Sequence, residues 1–184
     1  MNFFKQEIPD IVLIKPTILE DERGYFIETF RQDLFNKALD LKVNFIQDNE
    51  SKSIKGVLRG LHYQIEPYAQ AKLLRVIKGC ILDVVVDIRK SSKTFGKHLS
   101  FKLSDENKYQ LYVPRGFAHG FVVLSEDATF SYKVDNFYAP EFDRGIAFDD
   151  KDLAIDWKLP INDLHLSTKD KSNPALLKAK ELFK

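Results

Sequence analysis

The sequence predicts an all-β fold with a few short helices, built either as a β-sandwich or as a closed barrel. Short segments of alternating apolar and polar residues recur about every 8–12 residues, separated by turns that contain Gly and Pro. Only two segments place apolar residues at helical spacing. Polar side chains also recur on the face that should point inward, which favours a closed form that surrounds one small ligand.

The first half of the chain contains the clearest helix signal. Residues 11–19 are predicted to form a strand, and a turn centred on Gly24 leads into a second strand within residues 21–30. Residues 31–41 then place apolar side chains at the spacing of an amphipathic helix. From residue 44 onward the pattern changes to strands separated by short polar breaks.

The second half is predicted to consist almost entirely of strands and turns. Residues 81–89 give the clearest strand, because aliphatic residues alternate with polar positions that include Asp83, Asp87 and Arg89. Such alternation is typical of an antiparallel strand with one packed face and one face toward water or a cavity. Further elements are predicted as strands at 98–103, at 113–124 after a bend at Pro114 and at 130–134, and as a short terminal helix at 174–183.

Length and composition fit one globular domain spanning residues 1–184. Apolar residues make up 44% of the chain and aromatic residues 12%, and no linker, repeat or low-complexity segment separates a second domain. Lys and Arg number 28 against 27 Asp and Glu, which removes any general electrostatic argument for nucleic-acid binding. The single cysteine, Cys80, excludes a disulfide framework and a cysteine-rich metal site.

The sequence carries no targeting or membrane signal that we can identify. No apolar run approaches the about 20 residues that a spanning helix needs, and the N-terminus lacks the pattern of a secretory signal. We therefore expect a cytoplasmic protein without membrane contacts.

One stretch carries charged side chains where the apolar pattern gives no structural reason for them. Residues 58–64 (LRGLHYQ) and 71–79 (AKLLRVIKG) place Arg59, His62 and Lys72 among apolar neighbours. These groups are expected to face a shared cavity. If the first segment is a regular strand, Arg59 and His62 point to opposite sides, because side chains alternate along a strand.

The four histidines divide into two pairs. His62 and His119 follow turns with glycine and arginine and then enter apolar strands, which favours a functional role, whereas His98 and His165 are predicted to be structural. A metal site is not favoured, because the His-x-His spacing of many double-stranded β-helix proteins is broken by Gln64. The chain lacks a serine nucleophile elbow, a dinucleotide-binding glycine motif and a Walker loop.

The chemistry that remains is proton transfer without a metal or redox cofactor. A neutral imidazole at His62 suits removal of a proton made acidic by an adjacent carbonyl, and Lys72 suits stabilisation of the resulting enolate oxygen. Tyr132 shares a strand face with apolar residues, so its pattern alone is that of a core residue; alternatively, it returns a proton from the other side. A base and an acid on opposite faces of one carbon invert its configuration, which is epimerisation.

A series of motifs runs in one order from about residue 10 to residue 172: DERGYFIETF, QDNESKS, GVLRGLHYQ, AKLLRVIKG, DVVVDIRKSSKTFG, VPRGFAHGFVVLS, YKVDNFYAPE and LSTKD. This series resembles the dTDP-4-dehydrorhamnose 3,5-epimerase family. The resemblance implies a cupin-type jelly roll, also called a double-stranded β-helix. It further implies a homodimeric enzyme of nucleotide-sugar biosynthesis that uses no cofactor.

The resemblance also implies roles for individual residues. His62 matches the general base that removes the protons at C3 and C5 of the sugar, with Asp170 as the carboxylate that holds its ring. Lys72 matches the lysine that faces the C4 keto oxygen, and Tyr132 matches the proton donor on the opposite face. The presence of Tyr132 implies inversion at C5 as well as at C3.

The remaining matched positions are substrate-binding residues. Arg59, suited to the diphosphate, and His119 match binding positions, and Tyr138 falls where an aromatic ring stacks on thymine. The family commonly has glutamate where this chain has Asp143, whose side chain is one methylene shorter. The other matched binding positions are Arg23, Glu28, Gln47, Asn49 and Lys169, and in the family the N-terminal strands reach the site of the dimer partner.

The resemblance therefore predicts conversion of dTDP-4-dehydro-6-deoxy-D-glucose to dTDP-4-dehydro-β-L-rhamnose. Three alternatives remain open at this point. The chain could invert one carbon only or act on another nucleotide-linked keto sugar, it could move the carbonyl as a keto-sugar isomerase, or it could bind sugars without catalysis.

Overall fold

The structure is a computed structural model that describes residues 1–184. Two antiparallel β-sheets enclose the main core. One sheet has six strands in the order β1-β2-β10-β7-β12-β5, and the other has five in the order β13-β6-β11-β8-β9. The strands are β1 Asn2–Lys5, β2 Val12–Lys15, β3 Ile18–Asp21, β4 Gly24–Ile27, β5 Gln47–Ile54, β6 Leu58–Gln64, β7 Lys72–Lys78, β8 Cys80–Asp87, β9 His98–Ser104, β10 Gln110–Val113, β11 Phe117–Val123, β12 Asp127–Val134 and β13 Asp143–Gly145. The α-helices are α1 Gln32–Leu39 and α2 Thr168–Lys171, and single 3₁₀ turns occupy Pro140–Phe142, Ile161–Asp163 and Leu176–Lys178. The predicted all-β class with a few short helices is confirmed.

The core lies between the two sheets, and each sheet is also covered on its outer face. A cluster of 14 buried residues, including Leu74, Val85, Phe121 and Phe130, joins side chains of both sheets. Helix α1 covers the outer face of the six-stranded sheet through Phe35. The segment after β13 covers the outer face of the five-stranded sheet. Because both outer faces are covered, a cavity for a ligand is expected between the two sheets.

The strand predicted at 81–89 forms β8, but its second face is not open to water. Val84 and Val86 pack outward against residues that follow β13, while Val85 packs inward between the sheets. Asp83 and Asp87 both have 0% exposed surface. Of the two expectations, a face open to water is wrong, because the segment after β13 packs over the outer face and the opposite sheet covers the inner one. The inner face instead carries Asp83, which contacts His119 of the cavity lining.

Two predicted elements differ from the structure. The strand predicted at 11–19 is divided into β2 and β3 around Pro16. The terminal helix predicted at 174–183 is wrong: only the 3₁₀ turn Leu176–Lys178 forms there. Backbone groups of this segment bond to distant partners, since Leu176 N donates to Asp150 Oδ2 at 2.6 Å and Phe183 O accepts from Lys90 N at 2.9 Å. These tertiary bonds replace the bonds that a helix would make internally.

Neither α-helix is long and apolar enough to cross a lipid bilayer. The helix predicted at 31–41 is confirmed as α1. Helix α2 was not predicted from the sequence; Ser167 caps it by accepting a hydrogen bond from Asp170 N at 3.1 Å.

Asp87 organises the turn between β8 and β9. Its carboxylate accepts hydrogen bonds from Arg89 Nη2 at 2.8 Å, from Ser92 Oγ at 2.7 Å and from Thr94 Oγ1 at 2.6 Å. Burial raises the pKa of this carboxyl, but the hydrogen bonds from Arg89, Thr94 and Ser92 outweigh burial and lower the pKa to about 2. The ionised form therefore stabilises the folded state.

Asp87→Asn is expected to lower the free energy of unfolding by about 2 kcal/mol at neutral pH. Because the folded-state pKa is depressed, this contribution is present above the unfolded-state pKa near 4 and is lost as the pH falls toward about 2. Urea denaturation of both proteins over this pH range measures the difference. Asp48→Asn, at an exposed pair with Lys133, serves as the control. A stability difference that stays constant with pH would contradict the assignment.

Candidate active site

A cavity of about 290 Å³ opens where the two sheets meet α2. Most of its lining is charged or polar, and the apolar part is a wall of aromatic rings. The lining residues come from β5, β6, β7, β11, β12 and the α2 region: Ser51, Arg59, His62, Lys72, His119, Phe121, Phe130, Tyr132, Ser167, Lys169 and Asp170.

Arg59 and His62 share this cavity because β6 carries one extra residue. Opposite β11, His62 pairs with His119 and Arg59 pairs with Phe121, so two residues of β6, 60 and 61, lie opposite the single residue 120 of β11. The prediction that Arg59 and His62 point to opposite sides is therefore wrong. In a regular strand the side chains of Arg59 and His62 would point to opposite faces. The extra residue between them brings both side chains to the same face.

Close backbone contact at this irregularity requires glycine. Gly60 has φ +129°, and a Cβ built there would lie 2.5 Å from Gly120 Cα. A side chain at residue 60 would meet backbone atoms, which cannot move aside easily. Gly60 thus permits the strand geometry that turns Arg59 and His62 toward the cavity.

His62 is held by a carboxylate from the far end of the chain. Its Nε2 lies 2.5 Å from Asp170 Oδ1, and α2 positions Asp170 through the Ser167 cap. Burial raises the pKa of the Asp170 carboxyl, but His62, Ser167 and Lys169 together outweigh burial, so the net shift is downward. An ionised Asp170 accepts a hydrogen bond from Nε2, which leaves Nδ1 as the basic ring nitrogen.

Lys72 and Tyr132 present free polar ends to the cavity. Lys72 begins β7 and pairs with Val134 of β12, two residues from Tyr132. Neither Lys72 Nζ nor Tyr132 Oη has a hydrogen-bond partner within the chain, and neither is sealed from solvent. Burial lowers the pKa of the Lys72 ammonium, and Asp143 and Asp83 oppose that shift.

The Tyr132 phenol keeps its proton at neutral pH. Burial raises the pKa of Tyr132, and the Arg59 guanidinium acts in the opposite direction. Arg59 itself lies against β5, where it donates hydrogen bonds to Ser53 Oγ at 3.1 and 3.2 Å. The tyrosine therefore combines a proton to donate with a nearby cation that favours the phenolate left behind.

His119 forms a second pair with a buried carboxylate. Its Nε2 lies 2.8 Å from Asp83 Oδ2, and its ring stacks against Phe130 with 6.2 Å between centroids. Asp83 was not predicted as a site residue from the sequence. The feature that could have indicated a role for Asp83 is its position as a carboxylate within the most apolar strand of the chain.

Of the remaining predicted binding residues, Lys169 lines the cavity, whereas Gln47, Asn49, Tyr138 and Asp143 are not among its lining residues. Tyr138 Oη donates to Asp143 Oδ2 at 3.2 Å, and Lys169 Nζ forms an ion pair with the same carboxylate. On β5, Gln47 Nε2 donates to Asn49 Oδ1 at 2.8 Å, and Asn49 pairs with Tyr132 in register. The shorter Asp143 thus still contacts two of the predicted binding residues.

Arg23 and Glu28 do not line this cavity. Arg23 lies in the β3–β4 hairpin, has 85% of its side chain exposed and pairs with Asp21 at 2.6 Å. The chain does not bring these two residues to the other predicted site residues, so their contact with a nucleotide stays a prediction.

Comparison with known proteins covers most of the chain. The model of the family described as dTDP-4-dehydrorhamnose 3,5-epimerase matches residues 5–178. The chain belongs to this family. A dTDP-4-dehydrorhamnose 3,5-epimerase from Shigella flexneri is 56% identical over 170 residues, which cover 92% of this chain and 93% of that protein.

Solved structures of epimerases in the family share the fold. The crystal structure of a dTDP-4-dehydrorhamnose 3,5-epimerase from Elizabethkingia anophelis is 54% identical, covers 95% of this chain and 96% of its own, and has a TM-score of 0.92. A dTDP-6-deoxy-D-glucose-3,5-epimerase from Legionella pneumophila, in complex with dTDP-4-keto-L-rhamnose, is 45% identical, covers 97% of this chain and 94% of its own, and has a TM-score of 0.94. The predicted family, cupin-type fold and epimerase class are confirmed.

Gly60→Ala is expected to destabilise the fold strongly, because the new Cβ would clash with β11 in addition to adopting an unfavourable φ. Gly24→Ala is a matched control: its φ is +124°, but a Cβ there has nothing within 4 Å. We expect a loss of about 1 kcal/mol at residue 24 and at least about 2 kcal/mol more at residue 60. Urea denaturation measures both, and equal losses would contradict the close-contact argument.

Proposed function

We propose that this epimerase converts dTDP-4-dehydro-6-deoxy-D-glucose to dTDP-4-dehydro-β-L-rhamnose by inverting C3 and C5, without a cofactor. The observation that carries the proposal is that His62, Lys72 and Tyr132 line one cavity, each with a polar end free for a ligand. Base, electrophile and acid are the three groups that inversion next to a carbonyl requires.

In the first step, His62 Nδ1 removes the proton from C3 or C5. The C–H electron pair moves into a new C–C double bond, and the C4 carbonyl electrons move onto oxygen. The Lys72 ammonium donates a hydrogen bond to the enolate oxygen that forms. Asp170 stabilises the imidazolium through its contact with Nε2, 2.5 Å away.

In the second step, Tyr132 donates its proton to the opposite face of the same carbon. The enolate electrons return, the C4 carbonyl forms again, and the carbon is inverted. Arg59 favours the phenolate that remains, in the same direction in which it affects the Tyr132 pKa. Exchange with solvent then restores the protonation states of His62 and Tyr132, and the cycle repeats at the second carbon.

Charge around the mouth of the cavity supports recognition of a nucleotide diphosphate. Arg59 and Lys169 are the cations that would contact phosphate oxygens, and Arg59 presents its guanidinium fork. Tyr138, with 56% of its surface exposed, is available to stack on thymine. His119 lines the cavity and would contact the sugar, and we assign Gln47, Asn49 and Asp143 to further contacts with the substrate.

The functional unit is a homodimer in which the β3–β4 hairpin of one protomer reaches the cavity of its partner. The hairpin exposes Leu19 (61%), Tyr25 (58%) and Phe26 (67%), an apolar surface that a second copy would bury. Arg23 and Glu28, at and after the hairpin, would then contact the nucleotide in the partner's site. Residues 1–184 act as one domain, in the cytoplasm.

Turnover in heavy water tests the reaction and the sugar. We expect purified protein with EDTA, given a panel of dTDP, GDP and CDP 4-keto sugars, to act on the dTDP sugar and to incorporate deuterium at C3 and C5 with inversion at both. Product NMR reads each outcome. Inversion at C3 alone indicates a one-carbon epimerase, a carbonyl moved to C3 indicates an isomerase, and no turnover contradicts the proposal.

The two proton-transfer groups have different expected signatures. His62→Asn should lower turnover by about 10²–10⁴-fold while dTDP binding is largely kept, because the general base is lost. Tyr132→Phe should still exchange the substrate C3 proton with solvent but fail to invert the carbon, because removal by His62 remains possible. Deuterium exchange and product configuration are measured by NMR. An unchanged rate in His62→Asn would remove His62 from the mechanism.

A further inference from the structure

Gln64 is a buried amide side chain to which the proposed reaction assigns no role. It is the last residue of β6, two residues after His62, and has 4% exposed surface. It is also the residue that breaks the His-x-His spacing, and it does not line the cavity. A buried amide needs partners for its N–H groups and for its oxygen, and the identity of those partners indicates what the side chain does.

The three partners of the Gln64 amide are backbone groups of two loops. Nε2 donates to Tyr68 O at 2.6 Å and to Phe137 O at 3.1 Å, and Oε1 accepts from Ala139 N at 2.7 Å. Both N–H groups and the oxygen are therefore engaged. The orientation of the amide is fixed, because a carbonyl can only accept a hydrogen bond and a backbone N–H can only donate one.

The residue between the two bonded backbone groups of the second loop is Tyr138. Phe137 and Ala139 are its neighbours, so one side chain holds the backbone on both sides of this tyrosine. Tyr138 Oη donates to Asp143 Oδ2 at 3.2 Å, and Asp143 pairs in register with Gln64. With 56% of its surface exposed, Tyr138 is fixed less by packing than by these bonds at its backbone and its hydroxyl.

The loop that carries Tyr138 is tied to the loop after β6 by two further side chains. Gln70 Nε2 donates to Asn136 O at 2.8 Å, and Asn136 Nδ2 donates to Pro67 O at 2.9 Å. Of the three side chains that join the loops, Gln64 alone is buried. Its bonds are therefore the ones least open to competition from water.

The three bonds explain why the position holds glutamine. A neutral histidine offers one donor and one acceptor, and a glutamate offers no donor. Asparagine carries the same amide on a side chain that is one methylene shorter. A residue that must bond two carbonyls and one N–H across this distance is a glutamine.

We propose that Gln64 is a positioning residue for nucleotide binding: it fixes the loop that carries Tyr138, so that the ring is in place for the base before the nucleotide binds. The inference rests on the proposed function, because that function assigns stacking on thymine to Tyr138. Gln64 itself does not touch the nucleotide. A ring that is ordered in advance loses less conformational freedom on binding, which increases affinity.

Calorimetry of dTDP binding to wild type and to Gln64→Met tests the inference. Methionine is similar in length but makes none of the three hydrogen bonds. We expect the variant to bind dTDP about fivefold or more weakly, because stacking on the base is impaired. Binding of inorganic pyrophosphate, which has no base, should change less than about twofold.

Gln32→Met is the matched control. The Gln32 amide also bonds the backbone of two residues that flank a third, with Nε2 donating to Val43 O at 2.6 Å and Oε1 accepting from Phe45 N at 3.4 Å. None of these residues lines the cavity. This variant should keep the wild-type affinity for dTDP.

A double-mutant cycle with Tyr138→Ala separates positioning from a general structural effect. If Gln64 acts through Tyr138, Gln64→Met should change dTDP binding less than about twofold once Tyr138 is already alanine. An equal loss in both backgrounds would overturn the inference. Wild-type affinity for dTDP in a folded Gln64→Met variant would overturn it as well.

Hydrogen exchange in wild type tests the same claim without any variant having to fold. The Ala139 amide, which donates to Gln64 Oε1, should exchange about a hundredfold or more slowly than in an unfolded chain, already without dTDP. Exchange at the unfolded rate until dTDP is added would mean that the nucleotide orders the loop, which contradicts the inference. If wild type binds no dTDP at all, the proposed function fails instead, so the two failures are distinct.

Discussion

The close approach of β6 and β11 at Gly60 and Gly120 is the constraint on which the cavity depends. The backbones of the two strands approach so closely here that a side chain would not fit between them. The extra residue on β6 turns Arg59 and His62 to the same side. Without this irregularity, the alternation of a strand would send one of them into the outer core. The geometry of one short backbone contact therefore decides whether a guanidinium and an imidazole can act on one ligand.

The same cavity contains polar and charged groups that have no hydrogen-bond partner within the chain. Lys72 Nζ and Tyr132 Oη have no partner within the chain, although desolvating such groups costs free energy. The two imidazoles, in contrast, each pair with a carboxylate: His62 with Asp170 and His119 with Asp83. The apolar clusters on both faces of the five-stranded sheet stabilise the frame that holds these groups. Groups without partners in the free protein are the ones available to a substrate.

Local patterns in the sequence predicted most of the strands, helix α1 and the central triplet of Arg59, His62 and Lys72. Alternation and helical spacing are properties of neighbouring residues, so they survive without tertiary information. The shared orientation of Arg59 and His62 could not be predicted, because the extra residue on β6 is defined only by its pairing with β11. The terminal segment also failed, since the bonds of Leu176 and Phe183 go to residues far away in sequence. Asp83 was not predicted as a site residue, because its contact with His119 joins residues of two different strands.

The central claim is that His62 and Tyr132 act on opposite faces of the same sugar carbons with Lys72 at C4. A crystal structure of the protein bound to an unreactive dTDP-hexose that lacks the 4-keto group measures this directly. The account predicts C3 and C5 between His62 Nδ1 and Tyr132 Oη, with Lys72 Nζ within about 3 Å of the C4 oxygen. A sugar outside the cavity, or one approached by both residues from the same face, would contradict it.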